Sequence, residues 1–310
     1  MNNFSIEVKN LSKTFGKFTA VNNISFTVAA GEIFGFLGAN GAGKSTTIRM
    51  LCGLLNSSSG EAYVAGYNIN TQSESVKQNI GYMSQKFSLY EDLTVKENIF
   101  FFGGIYGLSD KELHEKLGWA LEISGLTGKE NILTKQLSAG WKQRLALCCA
   151  ILHQPKIVFL DEPTGGVDPI SRRNFWDLIN TLSESGTTVF VTTHYLDEAE
   201  YCNRIMLIQN GIIVAGGTPT ELKQKYITNP ILEVQCDRII DALDLLQKEP
   251  WVLETSVFGK YLHINVESES AGKEQISRLL AQNKIKTGRI SRIAPSLEDV
   301  FIHVIEKKND

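Results

Sequence analysis

The sequence predicts an α/β protein with a mainly parallel sheet, followed by a small α+β domain. Three observations carry this. Short apolar strands alternate with helical stretches as far as Tyr226, the pattern of stacked βα units. Residues 38–46, Gly-Ala-Asn-Gly-Ala-Gly-Lys-Ser-Thr, form a glycine-rich loop between such a strand and such a helix. Beyond Ile227–Pro230 the rhythm changes, and Leu262, Ile264 and Val266 alternate with polar residues. A chain of 310 residues holds about two domains at roughly 100–200 residues each. The expected domains are 1–228 and 229–310.

The elements follow in order. Strands are expected at Ile6–Val8 and Asn23–Val28, with Thr14-Phe15-Gly16-Lys17-Phe18 in the loop between them. Glu32–Leu37 reads as a buried strand and Thr46–Leu55 as a helix, after which Asn56–Gly60 is a break. Ile80–Met83 is a short strand ending at Gln85. Residues 94–106 are helical, with Val95, Ile99, Phe102 and Tyr106 on one face. Phe100 and Phe101 lie off that stripe, as extra core or as a docking patch for an apolar partner. Lys111–Ser124 is a helix closed by Gly125. Ser138 caps a helix running to Leu152, with Pro155 beyond it. Ile157–Leu160 reads as a fully buried parallel strand ahead of Asp161-Glu162. Asp168-Pro169 opens the next helix, Gly186 closes it, and Thr187–Thr192 is a strand stopping before His194. Asn210-Gly211 is a two-residue hairpin turn, and Pro219–Tyr226 a short helix. The remainder reads βαββαβα, a ferredoxin-like pattern: Ile231–Cys236, Ile239–Lys248, Val252–Phe258, Tyr261–Val266, Gly272–Gln282, Ile285–Ile293 and Ser296–Val304. Ser296 and Asp299 are spaced as a capping box.

Bulk composition excludes several classes. Thirty-one basic against 34 acidic residues leave a net charge of −3, which is no footprint for nucleic acid or anionic lipid. Cys52, Cys148, Cys149, Cys202 and Cys236 are odd in number and form no Cys-x-x-Cys pair, so small buried thiols are expected rather than disulfides or a zinc site. The stretch Met1–Glu7 has no basic segment leading into an apolar core, so no secretory signal is expected. The apolar runs Ile99–Leu108 and Leu145–Leu152 are shorter than the ~18–20 residues of a spanning helix. A membrane role would therefore pass through a partner.

The glycine loop satisfies Gly-x-x-x-x-Gly-Lys-Ser at Gly38, Gly43, Lys44 and Ser45. In strand–loop–helix context its inward N–H groups suit a phosphate, aided by the helix N-terminus. Lys44 can reach β- and γ-phosphates, and the Ser45 hydroxyl can ligate Mg²⁺. Asp161 at a buried strand end is a hard oxygen ligand for Mg²⁺, and Glu162 can accept a proton from an attacking water.

The loop, Asp161-Glu162 and Leu137-Ser138-Ala139-Gly140-Trp141-Lys142-Gln143-Arg144 together resemble the nucleotide-binding subunits of ABC transporters over residues 4–226. That resemblance implies a P-loop NTPase fold that binds ATP and Mg²⁺. Phe15, Gly38, Asn40, Gly41, Ala42, Gly43, Lys44, Ser45 and Thr46 would contact the nucleotide, with Phe15 on adenine and Phe18 as its rival. Ser45, Gln85 and Asp161 would serve the metal. Glu162, His194 and Gln85 would be the catalytic set. Ser138, Gly140 and Asp168 would complete the site of a second subunit. Ala139 stands where the family has glycine, and its methyl is the feature expected to crowd a phosphate; Trp141 stands where glutamine is common. Pro295–Phe301 looks like the C-terminal extension of drug-resistance-type exporters. The implied partners are an integral membrane permease and a second cassette, with no nucleic acid, and the implied place is the cytoplasmic face of the membrane. The rival readings are a soluble ABC-type ATPase acting on a macromolecular assembly and a binding module whose nucleotide site has decayed. One cassette without long heptads disfavours the first. Intact Lys44, Asp161, Glu162 and His194 disfavour the second.

Overall fold

The computed structural model describes residues 4–86 and 88–306. Met1–Asn3, part of the stretch read for a secretory signal, lie outside them. The chain packs as two units, one through Thr218 and one from Pro219. The boundary thus falls before the short helix that the sequence assigned to the first domain.

The first unit contains β1 (Phe4–Phe15), β2 (Phe18–Ala29), β3 (Ile33–Leu37), α1 (Lys44–Leu51), β4 (Ser59–Val64), β5 (Tyr67–Asn68), α2 (Ser73–Asn79), β6 (Ile80–Met83), α3 (Val95–Ile105), α4 (Asp110–Ser124), α5 (Ala139–Ile151), β7 (Ile157–Asp161), α6 (Pro169–Glu184), β8 (Thr188–Thr193), β9 (Arg204–Gln209) and β10 (Ile212–Gly217). Six strands form a sheet in the order β10-β9-β3-β8-β7-β6. All neighbours in it are parallel except the β9–β10 hairpin. The inner strands β3, β7 and β8 are buried at every residue, as sheets covered on both faces require.

A second, antiparallel sheet, β2-β1-β4-β5, was not expected. The segment read as a loop at Thr14–Phe18 is the end of a long hairpin that turns only at Gly16-Lys17. Register shifts along β1 and β2 break the alternation while keeping Leu11, Val21 and Ile24 buried. The two sheets share a core. Phe26 of β2 stacks on Phe34 of β3 at 5.5 Å, and Phe34, Phe36 and Phe159 all pack on Phe190.

Helices α3, α4 and α5 enclose a separate cluster around Val95, Ile99, Leu121, Leu145 and Cys149. Thr94 and Ser109 each close a capping box on α3 and α4, and Gly125 ends α4 in the left-handed region. Phe100 is half-buried, edge-on to His114. Phe101 is exposed against Tyr90, so it is not the extra core one reading made it. Four of the five thiols are buried and Cys236 is half-buried; all are free. Among the described residues, no helix is long and apolar enough to cross a membrane.

The second unit holds α7 (Pro219–Tyr226), β11 (Ile231–Cys236), α8 (Ile239–Leu246), β12 (Val252–Phe258), β13 (Tyr261–Val266), α9 (Glu269–Gln282), β14 (Thr287–Ile293) and α10 (Leu297–Glu306). Its antiparallel sheet runs β12-β13-β11-β14, the strand order of a ferredoxin-like layer built βαββαβ. Leu232, Val234, Leu262, Ile264 and Val266 meet α8 and α9 in one cluster. Helix α10 ties to the sheet through polar contacts: His263 Nδ1 lies 3.0 Å from Asp299 Oδ1, and His303 Nδ1 3.0 Å from Glu254 Oε2. Asp299 Oδ2 also accepts from the Ser296 N–H and hydroxyl at 2.7 Å each. Burial pushes the Asp299 carboxyl up, but the hydrogen bonds from His263 and Ser296 outweigh it and hold the group below its ordinary value. Its stabilisation is therefore present above the unfolded value near 4 and lost as pH falls through the folded one. Asp299→Ala is expected to destabilise this unit by about 3 kcal/mol or more, because it strands a buried partner and removes a cap. Calorimetry of the full chain should show one transition lowered, by less as pH drops below about 4.

Candidate nucleotide site

The parallel register places the chemistry. Strands β3, β8, β7 and β6 end on one edge of the sheet, where α/β folds bind ligands. The glycine loop follows β3, His194 follows β8, Asp161-Glu162 ends β7, and Gln85 follows β6.

The loop is held from behind. Gly43, at φ +110°, could not carry a side chain, because a Cβ would lie 2.5 Å from the Ala20 carbonyl. The Gly211 N–H donates to the Ala42 carbonyl at 3.0 Å, so the β9–β10 turn buttresses the loop. Helix α1 starts at Lys44, two residues before the expected Thr46, and Thr47 Oγ1 donates back to the Gly43 carbonyl at 2.9 Å. The buried Lys44 ammonium curls over the loop, donating to the carbonyls of Gly38 at 2.7 Å and Ala39 at 3.2 Å.

Opposite it stands Glu162, 8% exposed. Its Oε1 is 3.0 Å from Lys44 Nζ; its Oε2 accepts from Gln85 Nε2 at 2.9 Å and lies 3.3 Å from His194 Nδ1. Its backbone sits in the left-handed region at φ +47°, and its N–H donates to both the carbonyl and the hydroxyl of Thr192. Asp161 Oδ1 accepts from Thr192 Oγ1 at 2.7 Å and from Ser45 Oγ at 3.1 Å. The Asp161 charge reaches its surroundings: burial first and this carboxylate second push Tyr82 up to about 12 and raise the Cys52 thiol. Lys44, Ser45, Gln85, Asp161, Glu162 and His194 thus share one cluster.

The residues fit a phosphate with a hard divalent cation. A lysine ammonium is bonded to carbonyls in a glycine loop, and a hydroxyl and a carboxylate converge beside it. No group of three or more His, Cys, Asp or Glu that could hold a metal occurs among the described residues.

A second group lies at the adjoining ends of α5 and α6. Ser138 is the N-cap residue of α5 by position, but its exposed hydroxyl makes no capping bond, contrary to the capping role expected of it. Gly140 lets α5 approach α6: a Cβ there would lie 2.6 Å from Ser171 Oγ. Asp168 caps α6, its Oδ1 accepting from the N–H groups of Ile170 and Ser171; the Ser171 hydroxyl first, and these N–H groups after it, hold its carboxyl below the ordinary value. Ser138, Gly140, Trp141, Arg144, Ser171 and Asn174 line an open pocket of about 180 Å³. Ala139 is exposed. Trp141 packs into the helical cluster with Arg144 5.6 Å from its ring. Phe15 and Phe18 are 48% and 63% exposed across the hairpin turn, which removes the reading of either as core. Residues 40, 41, 42 and 46 lie in the loop and the first turn of α1, with Asn40 and Gly41 exposed and Ala42 buried.

Two supporting residues escaped the sequence reading. Thr192 positions both Asp161 and Glu162, which only the β7–β8 register could reveal. Gln143 is buried and donates to the Pro163 carbonyl at 2.7 Å, joining α5 to the segment after Glu162.

Residues 21–165 match the ABC transporter family, and residues 217–305 match the C-terminal domain of DrrA1-3-like ATP-binding proteins. The chain is 53% identical over 218 residues to the probable multidrug ABC transporter ATP-binding protein YbhF of Escherichia coli (strain K12), covering 70% of this chain and 38% of that protein. It is 36% identical to the linearmycin resistance ATP-binding protein LnrL of Bacillus subtilis (strain 168), covering 96% and 97% of the two chains. It is 34% identical to the Nod factor export ATP-binding protein I of Rhizobium sp. (strain N33), covering 98% of each. Among solved structures, an ATP-binding subunit of an ABC transporter superposes with a TM-score of 0.65 at 31% identity, over 71% of this chain and 92% of that one. The ATP-binding cassette MJ0796, a dimer in a post-hydrolysis state bound to ADP and Pi, superposes with a TM-score of 0.63 at 27% identity, over 69% and 98%.

Proposed function

The chain belongs to the ATP-binding proteins of the ABC transporter family, and on that premise we propose that it hydrolyses ATP as half of a dimer and couples this to export by a separate membrane permease. The observation that carries the proposal is the convergence of Lys44, Ser45, Gln85, Asp161, Glu162 and His194 on one edge of the parallel sheet. Lys44 exchanges its loop carbonyls and Glu162 for phosphate oxygens of ATP, and the loop N–H groups of 38–46 cradle the remainder. Mg²⁺, where bound, would be held by Ser45 and Asp161 with Gln85, and would neutralise charge on the phosphates. Glu162 accepts a proton from the attacking water, with Gln85 and His194 orienting its Oε2. Phe15 at the exposed hairpin turn takes the adenine by stacking.

Ser138, Gly140 and Asp168 stand at the N-terminal starts of α5 and α6, a group apart from the catalytic cluster. In this reading they face the γ-phosphate held by a second cassette, so hydrolysis needs two chains. The multidrug, resistance and Nod factor export names of the relatives support export rather than import. Docking to the permease falls to the helical cluster, where Tyr90, Phe101 and Ile105 are exposed near the segment leading from Gln85. The chain would sit peripherally at the cytoplasmic face.

Purified protein should release phosphate from ATP and stop when EDTA removes divalent cations. Release no greater than a Lys44→Ala control overturns the hydrolysis. Affinity capture from membranes should bring down a polytopic permease, and capture of a ribosome or other soluble assembly instead would return the rival reading.

A further inference from the structure

One buried ion pair lies outside the nucleotide contacts. Glu198, four residues beyond His194, is 1% exposed. Its Oε2 accepts from Thr193 Oγ1 at 2.8 Å, and its Oε1 lies 3.4 Å from Arg172 Nε. An interior carboxylate is costly unless paired. Burial accordingly pushes this one up, opposed by Thr164, Thr193 and Arg172. Arg172 does more than neutralise it. Its guanidinium stands 4.2 Å over the Tyr195 ring and its Nη1 is 3.7 Å from Asp197 Oδ2. A planar, permanently charged guanidinium does both in a fixed geometry; an ammonium lacks the plane that stacks on the ring.

These contacts bear on His194. Its side chain is a third exposed, and its ring is held by Glu162 Oε2 at 3.3 Å and by the Tyr195 ring at 4.1 Å. The ring that Arg172 stacks on is thus the ring that His194 packs against. At its other end Arg172 belongs to the first turn of α6: its N–H donates to the Asp168 carbonyl at 2.9 Å, and its neighbour Ser171 is the residue that meets Gly140.

We infer that Arg172 and Glu198 are positioning residues that set the His194 ring against Glu162 by locking segment 194–198 onto the first turn of α6. This rests on the hydrolytic reading above and adds to it the device that holds one catalytic side chain in register with the elements offered to a second cassette. The pair contacts Thr193, Tyr195 and Asp197 rather than the residues assigned to the nucleotide, so it acts on turnover rather than on binding.

The test uses the full chain with Glu198→Gln, which keeps shape and removes charge, and Arg172→Lys, which keeps charge and removes the stacked plane. Each should lower kcat about 10-fold, within the ~10²-fold that a 1 Å misplacement can cost, while KM for ATP stays within about twofold. The chain has five histidines, and in nitrogen-15 spectra of their imidazoles the His194 signals are identified by their loss in His194→Gln. Those signals should move in both variants and the others stay. A kcat within about twofold of the parent, or a loss of kcat with the His194 signals unmoved, overturns the inference. If Glu198→Gln does not fold, Arg172→Lys carries both readouts. A parent chain that releases no phosphate overturns the hydrolytic reading; an active parent with unaffected variants overturns only this one.

Discussion

Replacing Glu162 with Gln is expected to leave ATP bound and to cut turnover by roughly 10²–10⁴-fold, the scale of losing a general base. The carboxylate is placed for that role and for little else. It is buried, it meets Lys44, Gln85 and His194, and its backbone is held at φ +47° by two bonds from its N–H to Thr192. A non-glycine residue in the left-handed region carries local strain of order 1–3 kcal/mol, which persists where the surroundings over-determine it. Here they do, since residue 162 must leave a parallel strand and turn its side chain back toward Lys44. Gln occupies the same volume and can still hydrogen bond to Gln85, so the arrangement survives. It cannot take a proton from water. The substitution leaves Lys44 and the loop N–H groups of 38–46 unchanged, so nucleotide binding should persist. Phosphate release under single-turnover conditions, beside retention of labelled ATP, separates the two effects. Turnover near that of the parent would remove Glu162 from the chemistry.

The same cluster marks what a one-dimensional reading reaches. Local signals were legible: the glycine loop, the Asn210-Gly211 turn, Pro169 after its Asp168 cap, the capping box at Ser296 and Asp299, and the four buried residues before Asp161. Each is encoded within a few positions. The ferredoxin-like layer was also legible, because Leu262, Ile264 and Val266 alternate with polar residues after the Gly259-Lys260 turn, and strand and helix stretches follow one another in βαββαβ order. Long-range register was not. Ser45 and Asp161 meet across 116 positions and Gln85 and Glu162 across 77, and only strand order brings them together. The antiparallel sheet was missed for a local reason. Its β1–β2 hairpin is broken by register shifts and ends in exposed Phe15 and Phe18, so the period of two fades where the strands run on. Strand β4 opens on Ser59-Gly60, whose composition reads as a turn. Arg172 and Glu198 are ordinary charged residues in the sequence; the burial of Glu198 and the contacts of Arg172 with Glu198 and the Tyr195 ring distinguish them.

Ser138→Arg should abolish the ATP-dependent dimer while leaving nucleotide binding by the single chain intact. The hydroxyl of Ser138 is exposed at the N-terminus of α5 without a capping bond. Serine at an N-cap ordinarily bonds its own helix, a contact worth about 1 kcal/mol. Its absence leaves the hydroxyl and the first N–H groups of α5 free for an anion from outside the chain. Gly140, pressed on Ser171, keeps that helix end tight against α6 and Asp168. An arginine at 138 would project a long side chain from the surface that must meet the second cassette's phosphate, filling space that only a hydroxyl leaves open. Its positive charge does not rescue it, because a flexible side chain in that gap holds the two faces apart. The Lys44 site is built from other residues, at the start of α1 and the ends of β6, β7 and β8, and is untouched. The cleanest assay puts the substitution in the Glu162→Gln background, where hydrolysis no longer dissolves the dimer, and follows mass in ATP by light scattering. The Glu162→Gln chain should double its mass with ATP and the double variant should not, although both retain labelled nucleotide. Equal dimer in the two would mean that Ser138 faces no phosphate, and that the terminal phosphate is not what joins the halves.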